Sequence, residues 1–397
     1  MLSPFLYRDL SSRLPFPSDS DQDEYLQDAQ MIANQFGFPK ARQVYCSWLA
    51  MIYVLSGKDL RRSMYIEKTV SVLLLSVIIG FLALMLFDVR TALLLFLWVL
   101  NCKYMLLEPN DSHALAASMI VASVLCFFLP NRALRLPASL FILLLSIKVR
   151  EEMIVPLVVI SACLIIRAAY RWKRKDKPRA VADPRAKYYW IGAAIIWISL
   201  VALFAVRPNN STSPYFSVLF RGEFAGTYVN RTGLREQLPG KQPWVKEAWD
   251  LTYGEKLPGI KTDFDVIRLY PREELANIIY NVKITPRVAG SMFLAFDHPL
   301  LMLAALLLYV FSFVIWPGLK GRFHRWRLSK EIATFLVVWA IGTCSIVGLI
   351  VLLYISARHY VQLIPVEIIA AIFVLRFAMT YLLRLLRPSS IAEQQTG

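Results

Sequence analysis

Four stretches far apart in the chain carry residue types that can move protons or grip anions. SDSDQDEYLQDA holds Asp19, Asp21, Asp23 and Glu24, and EPNDSH holds Glu108, Asp111 and His113. VREE contributes Arg150, Glu151 and Glu152, and SARHYVQLIP contributes Arg358, His359 and Tyr360. A carboxylate within reach of a hydroxyl can serve as a general base. An arginine at headgroup depth suits a phosphate, which it binds through two parallel hydrogen bonds. Together these groups fit transfer from a phosphate-linked lipid donor to a hydroxyl acceptor; they also fit a cation site or a proton-coupled transporter. Any single acid is more simply a solvated loop residue. Glu151 and Glu152 could merely end a helix, and Arg358 could snorkel to lipid phosphate. The joint occurrence is what points to chemistry.

Such groups converge only if the elements between them deliver them to one surface. Apolar residues make up 57% of the 397 residues and mean hydropathy is +0.50, more than a soluble domain can bury. Runs of bilayer length fall at 69–87, 91–107, 113–130, 133–149, 153–170, 188–206, 299–317, 332–355 and 360–382. The expected fold class is therefore all-α, a polytopic transmembrane bundle of about nine spans. Pro137 and two arginines interrupt the start of the fourth run. Cys46–Leu55 is too short to cross and is expected at the interface.

Lysine and arginine bias sets the orientation. The segments 167–187 and 318–330 and the tail with Arg384 and Arg387 are densely basic. Even numbers of spans separate them, so all three share the cytoplasmic side. Alternation then places 1–68, 108–112, 150–152, 207–297 and 356–359 outside. All four chemical stretches fall on that outer face, as do His113, His298 and His359.

The resulting divisions are an extracytoplasmic segment 1–68 with an acidic loop and interfacial helix, a transmembrane bundle 69–206, an outer segment 207–298, and C-terminal helices with a basic tail, 299–397. Glu273–Val282, within the outer segment, has the pattern of a helix lying on the membrane surface. The formal charge of +16 sits largely in the basic topology clusters, which argues against nucleic acid as a partner. Cys46, Cys102, Cys126, Cys163 and Cys344 show no metal or disulfide spacing. Met1–Asp19 lacks the sustained apolar core of a cleavable signal.

The stretch Asp23-Glu24-Tyr25-Leu26-Gln27-Asp28-Ala29 resembles the first extracytoplasmic loop of the C-type membrane glycosyltransferases, the class of the protein mannosyltransferases and lipid A aminoarabinose transferases. Arg358-His359-Tyr360, followed by Pro365, is similar to the Arg-x-Tyr pattern that precedes a late span in that class. The resemblance implies a helix bundle with its site at the outer face, a polyprenyl-phosphate sugar donor, and a glycan, lipid or protein acceptor. By that resemblance Asp23 or Glu24, with Asp21 beside them, is the base. Glu108 or Asp111, next to His113, would hold the acceptor or a divalent cation. Arg358 and Tyr360 would hold the donor phosphate, with Lys103 and Arg150 as further phosphate ligands. The family places a span ahead of its first acidic loop. Here only MLSPFLYRDLSSRLPF precedes it, so either the given start is late or this member differs.

The expected setting is a multi-pass protein of a bacterial cytoplasmic (inner) membrane, its site facing outward among membrane lipid. Two other outer-face roles compete. A transporter or flippase of a polar lipid or glycan predicts charges deep within spans, and a ligase or polymerase on pyrophosphate-linked lipids predicts converging arginines on a long outer loop. Sugar, acceptor and metal dependence are not legible in the residues.

Overall fold

The computed structural model describes residues 20–35, 43–102, 112–150, 153–173, 214–237, 246–261, 263–315, 330–352 and 361–385. These are predominantly helical, without a strand among the described residues. In chain order the helices are α1 (Ser20–Gln35), α2 (Gln43–Leu55), α3 (Leu60–Leu86), α4 (Val89–Leu100), α5 (Ser112–Leu125), α6 (Arg132–Val149) and α7 (Ile154–Lys173). There follow α8 (Pro214–Thr232), α9 (Asp263–Leu269), α10 (Pro271–Leu294), α11 (Pro299–Ile315), α12 (Lys330–Leu352) and α13 (Ile364–Leu385).

Local chemistry explains several boundaries. Gly57 and Lys58 both adopt left-handed backbone angles, φ 77° and 63°, which stop α2. Asp59 then accepts a hydrogen bond from the Arg62 N–H at 3.0 Å and starts α3. Asp88 does the same for α4, accepting from the Thr91 N–H and its hydroxyl, both at 2.9 Å. Pro271 opens α10, with Glu273 and Glu274 in its first turn complementing the helix dipole.

The main core joins α1 to α7 with α11 to α13. Ala114, Ala116 and Ala117 keep α5 slender and are buried, so neighbouring backbones can come close. Gly342 on α12 serves the same purpose: an added Cβ there would lie 3.2 Å from the Pro156 carbonyl of α7 and run into Ile160. The Trp339 indole donates to the Ile120 carbonyl at 3.2 Å and ties α12 to α5. A second, smaller core of Phe224, Leu257, Ile260 and Val266 gathers α8, α9 and the π-helical turn Asp250–Lys256.

The bundle has two distinguishable ends. Phe87 after α3 touches Phe373 of α13, with ring centroids 4.7 Å apart, and Arg90 at the start of α4 lies over Phe313 near the end of α11. Phe127, just beyond α5, stacks on Phe335 near the start of α12. At the opposite end the side chain of Asn101 closes α4 against the start of α11, accepting from the His298 N–H at 2.9 Å and donating to its carbonyl at 3.0 Å. That second end also collects the starts of α3, α5 and α13 and the ends of α6 and α12.

Within α3, Arg62–Leu86 is long and apolar enough to cross a membrane by length and composition; Val44–Leu55, Val89–Leu100, Ser112–Phe128, Ile154–Ile166, Pro299–Phe313 and Ala333–Gly348 are shorter apolar helices. The described boundaries differ from the apolar windows for identifiable reasons. The Asp59 cap extends the first helix nine residues ahead of the apolar run beginning at 69. α4 ends at Leu100 because Asn101 turns away to bond 297–298. Pro137 is accommodated inside α6. Cys46–Leu55, expected at an interface, packs Tyr45, Cys46, Leu49 and Ala50 into the core while Met51, Val54 and Leu55 are exposed. The window 188–206 lies outside the described residues.

Candidate functional site

At the second end of the bundle, three separate elements bring polar side chains into a buried cluster. Ser112 and His113 form the first turn of α5, and both are buried. Arg150 follows the last turn of α6, its N–H bonded to the Ser146 carbonyl at 2.9 Å and its own carbonyl accepting from the Met153 N–H. That bend aims the guanidinium inward, where Nη1 donates to the Ser112 hydroxyl at 3.2 Å. Gln362, in the turn ahead of α13, places its amide nitrogen 3.1 Å from His113 Nδ1.

The contact pairs the Gln362 amide with the His113 imidazole, joining two segments distant in the chain. The Gln362 carbonyl oxygen is buried without a hydrogen-bond partner among the described residues. A guanidinium, an imidazole, an amide and a hydroxyl, all at most 3% exposed, make a buried cluster of hydrogen-bonding groups of the kind that suits an oxyanion such as phosphate. Among the described residues the cluster contains no carboxylate.

α1, which begins with the acidic stretch, packs along α2. Tyr25 and Ala29 are buried, and the Tyr25 ring meets Tyr45 of α2 edge-on at 5.5 Å. Lys58, in the turn before α3, donates to Asn34 Oδ1 at 2.9 Å. The Tyr and Ala of the acidic motif are thus the residues that seat α1. Asp21, Asp23 and Glu24 lie on its first turns, with their side chains outside the described set. Lys103, Glu108, Asp111, Arg358 and Tyr360 also lie outside the described residues. Of the residues singled out in the sequence, His113 and Arg150 are brought into one cluster. His298 is exposed beyond it, held by its backbone to Asn101. Among the described residues no group of three or more His, Cys, Asp or Glu side chains is placed to hold a metal.

Three buried groups escaped the sequence reading. Gln362 carries no signal of its own in an apolar context. Glu67 and Lys68 on α3 are each 2% exposed, and Glu67 accepts from the Ser71 hydroxyl at 2.8 Å. The Gly57-Lys58-Asp59 stop-and-cap signal was available and puts both inside the helix; hydropathy alone starts the span after them.

A second polar network occupies the first end. Arg376 of α13 pairs with Asp88 at 2.7 Å and bonds the Thr91 hydroxyl at 3.0 Å. Tyr309 of α11 reaches the same hydroxyl at 3.0 Å, and Arg90 donates to the Ser312 carbonyl at 2.6 Å. Both guanidiniums lie over the Phe313 ring. These contacts link the α3–α4 turn to α11 and α13.

Outside the main bundle, Arg231 of α8 pairs with Glu273 and donates to Asn277 Oδ1 at 2.8 Å. Burial pushes the neighbouring Glu274 carboxyl up to about 7. Burial, with the Glu273 charge, also raises the Tyr228 phenol. No protein-family model, no curated protein and no solved structure matches the chain.

Proposed function

We propose that the chain is a multi-pass membrane glycosyltransferase that moves a sugar from a polyprenyl-phosphate donor to a hydroxyl acceptor at the extracytoplasmic face. The observation that carries this is the buried cluster of Ser112, His113, Arg150 and Gln362 at the second end of the bundle. The chemistry needs two opposite things there. A carboxylate (Asp23 or Glu24) takes the acceptor proton as oxygen attacks the anomeric carbon, and positive charge receives the departing phosphate. In this reading the acidic stretch of α1 supplies the base and the donor cluster receives the phosphate.

The membrane setting has independent support. Large apolar side chains stand exposed along α11 and α13, among them Leu300 at 80% and Phe377 at 76%. Leaving such side chains in water costs about 1.5–3 kcal/mol each. The contacts across the bundle also join residues that charge bias assigns to a common side: Asp88 with Arg376, Asn101 with His298, His113 with Gln362, and Asn281 with Val351.

One observation favours a second reading, a transporter or flippase of a polar lipid or glycan. Glu67 and Lys68 are buried inside α3, the helix that among the described residues is long and apolar enough to cross a membrane, where charged groups commonly line a transport path.

The test is release of sugar from a panel of polyprenyl-phosphate sugars by protein in nanodiscs. Wild type is run beside Asp23→Asn, Glu24→Gln, Arg150→Ala and Arg358→Ala. Turnover that falls in an acidic variant and in an arginine variant supports the transferase. No release from any donor, with labelled lipid instead crossing the bilayer in a Glu67- and Lys68-dependent manner, sinks it in favour of the transporter.

A further inference from the structure

α10 runs across the second end of the bundle rather than along it. Asn281 Nδ2 donates to the Val351 carbonyl at the end of α12, at 2.9 Å, and the Phe293 carbonyl accepts from the Trp98 indole at the end of α4, at 3.3 Å. Those attachment points are about 18 Å apart along the helix, and both anchoring helices terminate at this end. The inner side of α10 is committed: Asn277 and Asn281 are buried, and Ile284, Val288, Ala289 and Phe293 pack on the main core.

The outer side has a different composition. Leu275, Ile279 and Val282 recur at helical spacing and are 57%, 47% and 54% exposed. Ile267 and Leu269 of α9 are exposed as well. Beside this row stand Arg272, Lys283 and Arg287, with Arg268 on α9, all exposed. The acids of α10 are turned away, Glu273 onto Arg231 and Glu274 into partial burial. Both are of intermediate exposure, Glu273 keeping 37% of its side chain accessible while paired with Arg231. At its C-terminal end the apolar row reaches exposed Leu294 and passes directly into the exposed Leu300 and Leu301 of α11.

We propose that α10 is an interfacial helix seated in the outer leaflet, its apolar row in the upper acyl region and its basic row on anionic lipid headgroups. The proposal rests on the membrane setting argued above and adds to it a specific lipid contact. Continuity with the apolar face of α11 identifies lipid as the occupant. The one-signed charge alongside selects anionic headgroups, since basic residues at such a surface are attracted and acids are not. The helix would hold the small α8–α9 core level with the donor cluster.

Depth-dependent fluorescence quenching tests this on the full chain in nanodiscs. A genetically encoded fluorescent amino acid replaces Ile279, Glu236 as an exposed polar control, or Phe81 of α3 as a control in the long apolar helix. Each is exposed to lipids carrying a nitroxide on the upper acyl chain or to aqueous iodide, in phosphatidylcholine with and without phosphatidylglycerol. The expected result is that the probes at 279 and 81 are quenched by nitroxide and shielded from iodide, while 236 behaves oppositely. Quenching at 279 should rise with phosphatidylglycerol, and Arg272→Gln/Lys283→Gln/Arg287→Gln should abolish that rise without moving the probe at 81. A probe at 279 that follows 236 while 81 stays in lipid overturns the interfacial helix and leaves the membrane setting standing. Iodide quenching at 81 overturns the setting itself. Quenching at 279 that ignores both phosphatidylglycerol and the triple substitution overturns the headgroup contact.

Discussion

At one end of the bundle Arg376 meets Asp88 at 2.7 Å, shares Thr91 with Tyr309, and lies over two phenylalanine rings. At the other end Arg150 donates to a serine hydroxyl and Gln362 to an imidazole. Both ends bury an arginine, yet the first surrounds it with a carboxylate and ring faces and the second with further hydrogen-bonding groups. A buried guanidinium matched to a fixed carboxylate cross-links helices. The described partner of the second is a serine hydroxyl, with an imidazole and an amide beside it. The first end therefore has the character of a structural clasp, and the second is the candidate site proposed above.

Substitutions can break that contrast. The largest effect on folding should come from Asp88→Ala, which strands Arg376 and removes the cap of α4; about 3 kcal/mol of stability should be lost. Thermal unfolding in detergent measures it, and Asp88→Ala/Arg376→Met should recover part of the loss. Arg150→Ala should cut sugar release about 100-fold with a smaller change in unfolding temperature. Equal destabilisation by both substitutions, with turnover intact in the second, would erase the distinction between the ends.

Two further changes sharpen the comparison. Gly342→Ala forces a methyl against Ile160 and the Pro156 carbonyl, away from both polar networks. It should cost about 1–3 kcal/mol and leave the donor preference unchanged. Gln362→Leu removes the hydrogen bond to His113 Nδ1 and should cost about 1 kcal/mol of stability by thermal unfolding, with a smaller loss of sugar release than Arg150→Ala.

The smallest effect is expected at Glu274, outside the bundle. Burial raises its carboxyl to about 7 in the folded protein from an ordinary 4.5, so the folded state takes up protons more readily than the unfolded one. Its favourable contribution is complete below about pH 4.5 and is lost as pH rises to about 7. Glu274→Gln should therefore raise the unfolding temperature at about pH 8 and make little difference at about pH 4. A gain that is identical at both pH values would show that ionisation is not the cause.

Hydropathy was enough, from sequence, for an all-helical chain with helices near most of the apolar windows. The acidic helix was legible too, since Tyr25 and Ala29 follow its charges at the spacing of a packed face. These features depend on neighbours within a few residues, which is why they can be read locally. The start of α3 was missed because apolarity was weighed and the cap was not. The pairing of His113 with Gln362 joins positions 249 residues apart, and the transverse course of α10 depends on bonds to Val351 and Trp98. No local pattern encodes such meetings. Only the packed bundle decides which polar groups lose water together, and their burial in company turns ordinary loop and helix-end residues into a clasp at one end and a buried hydrogen-bonding cluster at the other.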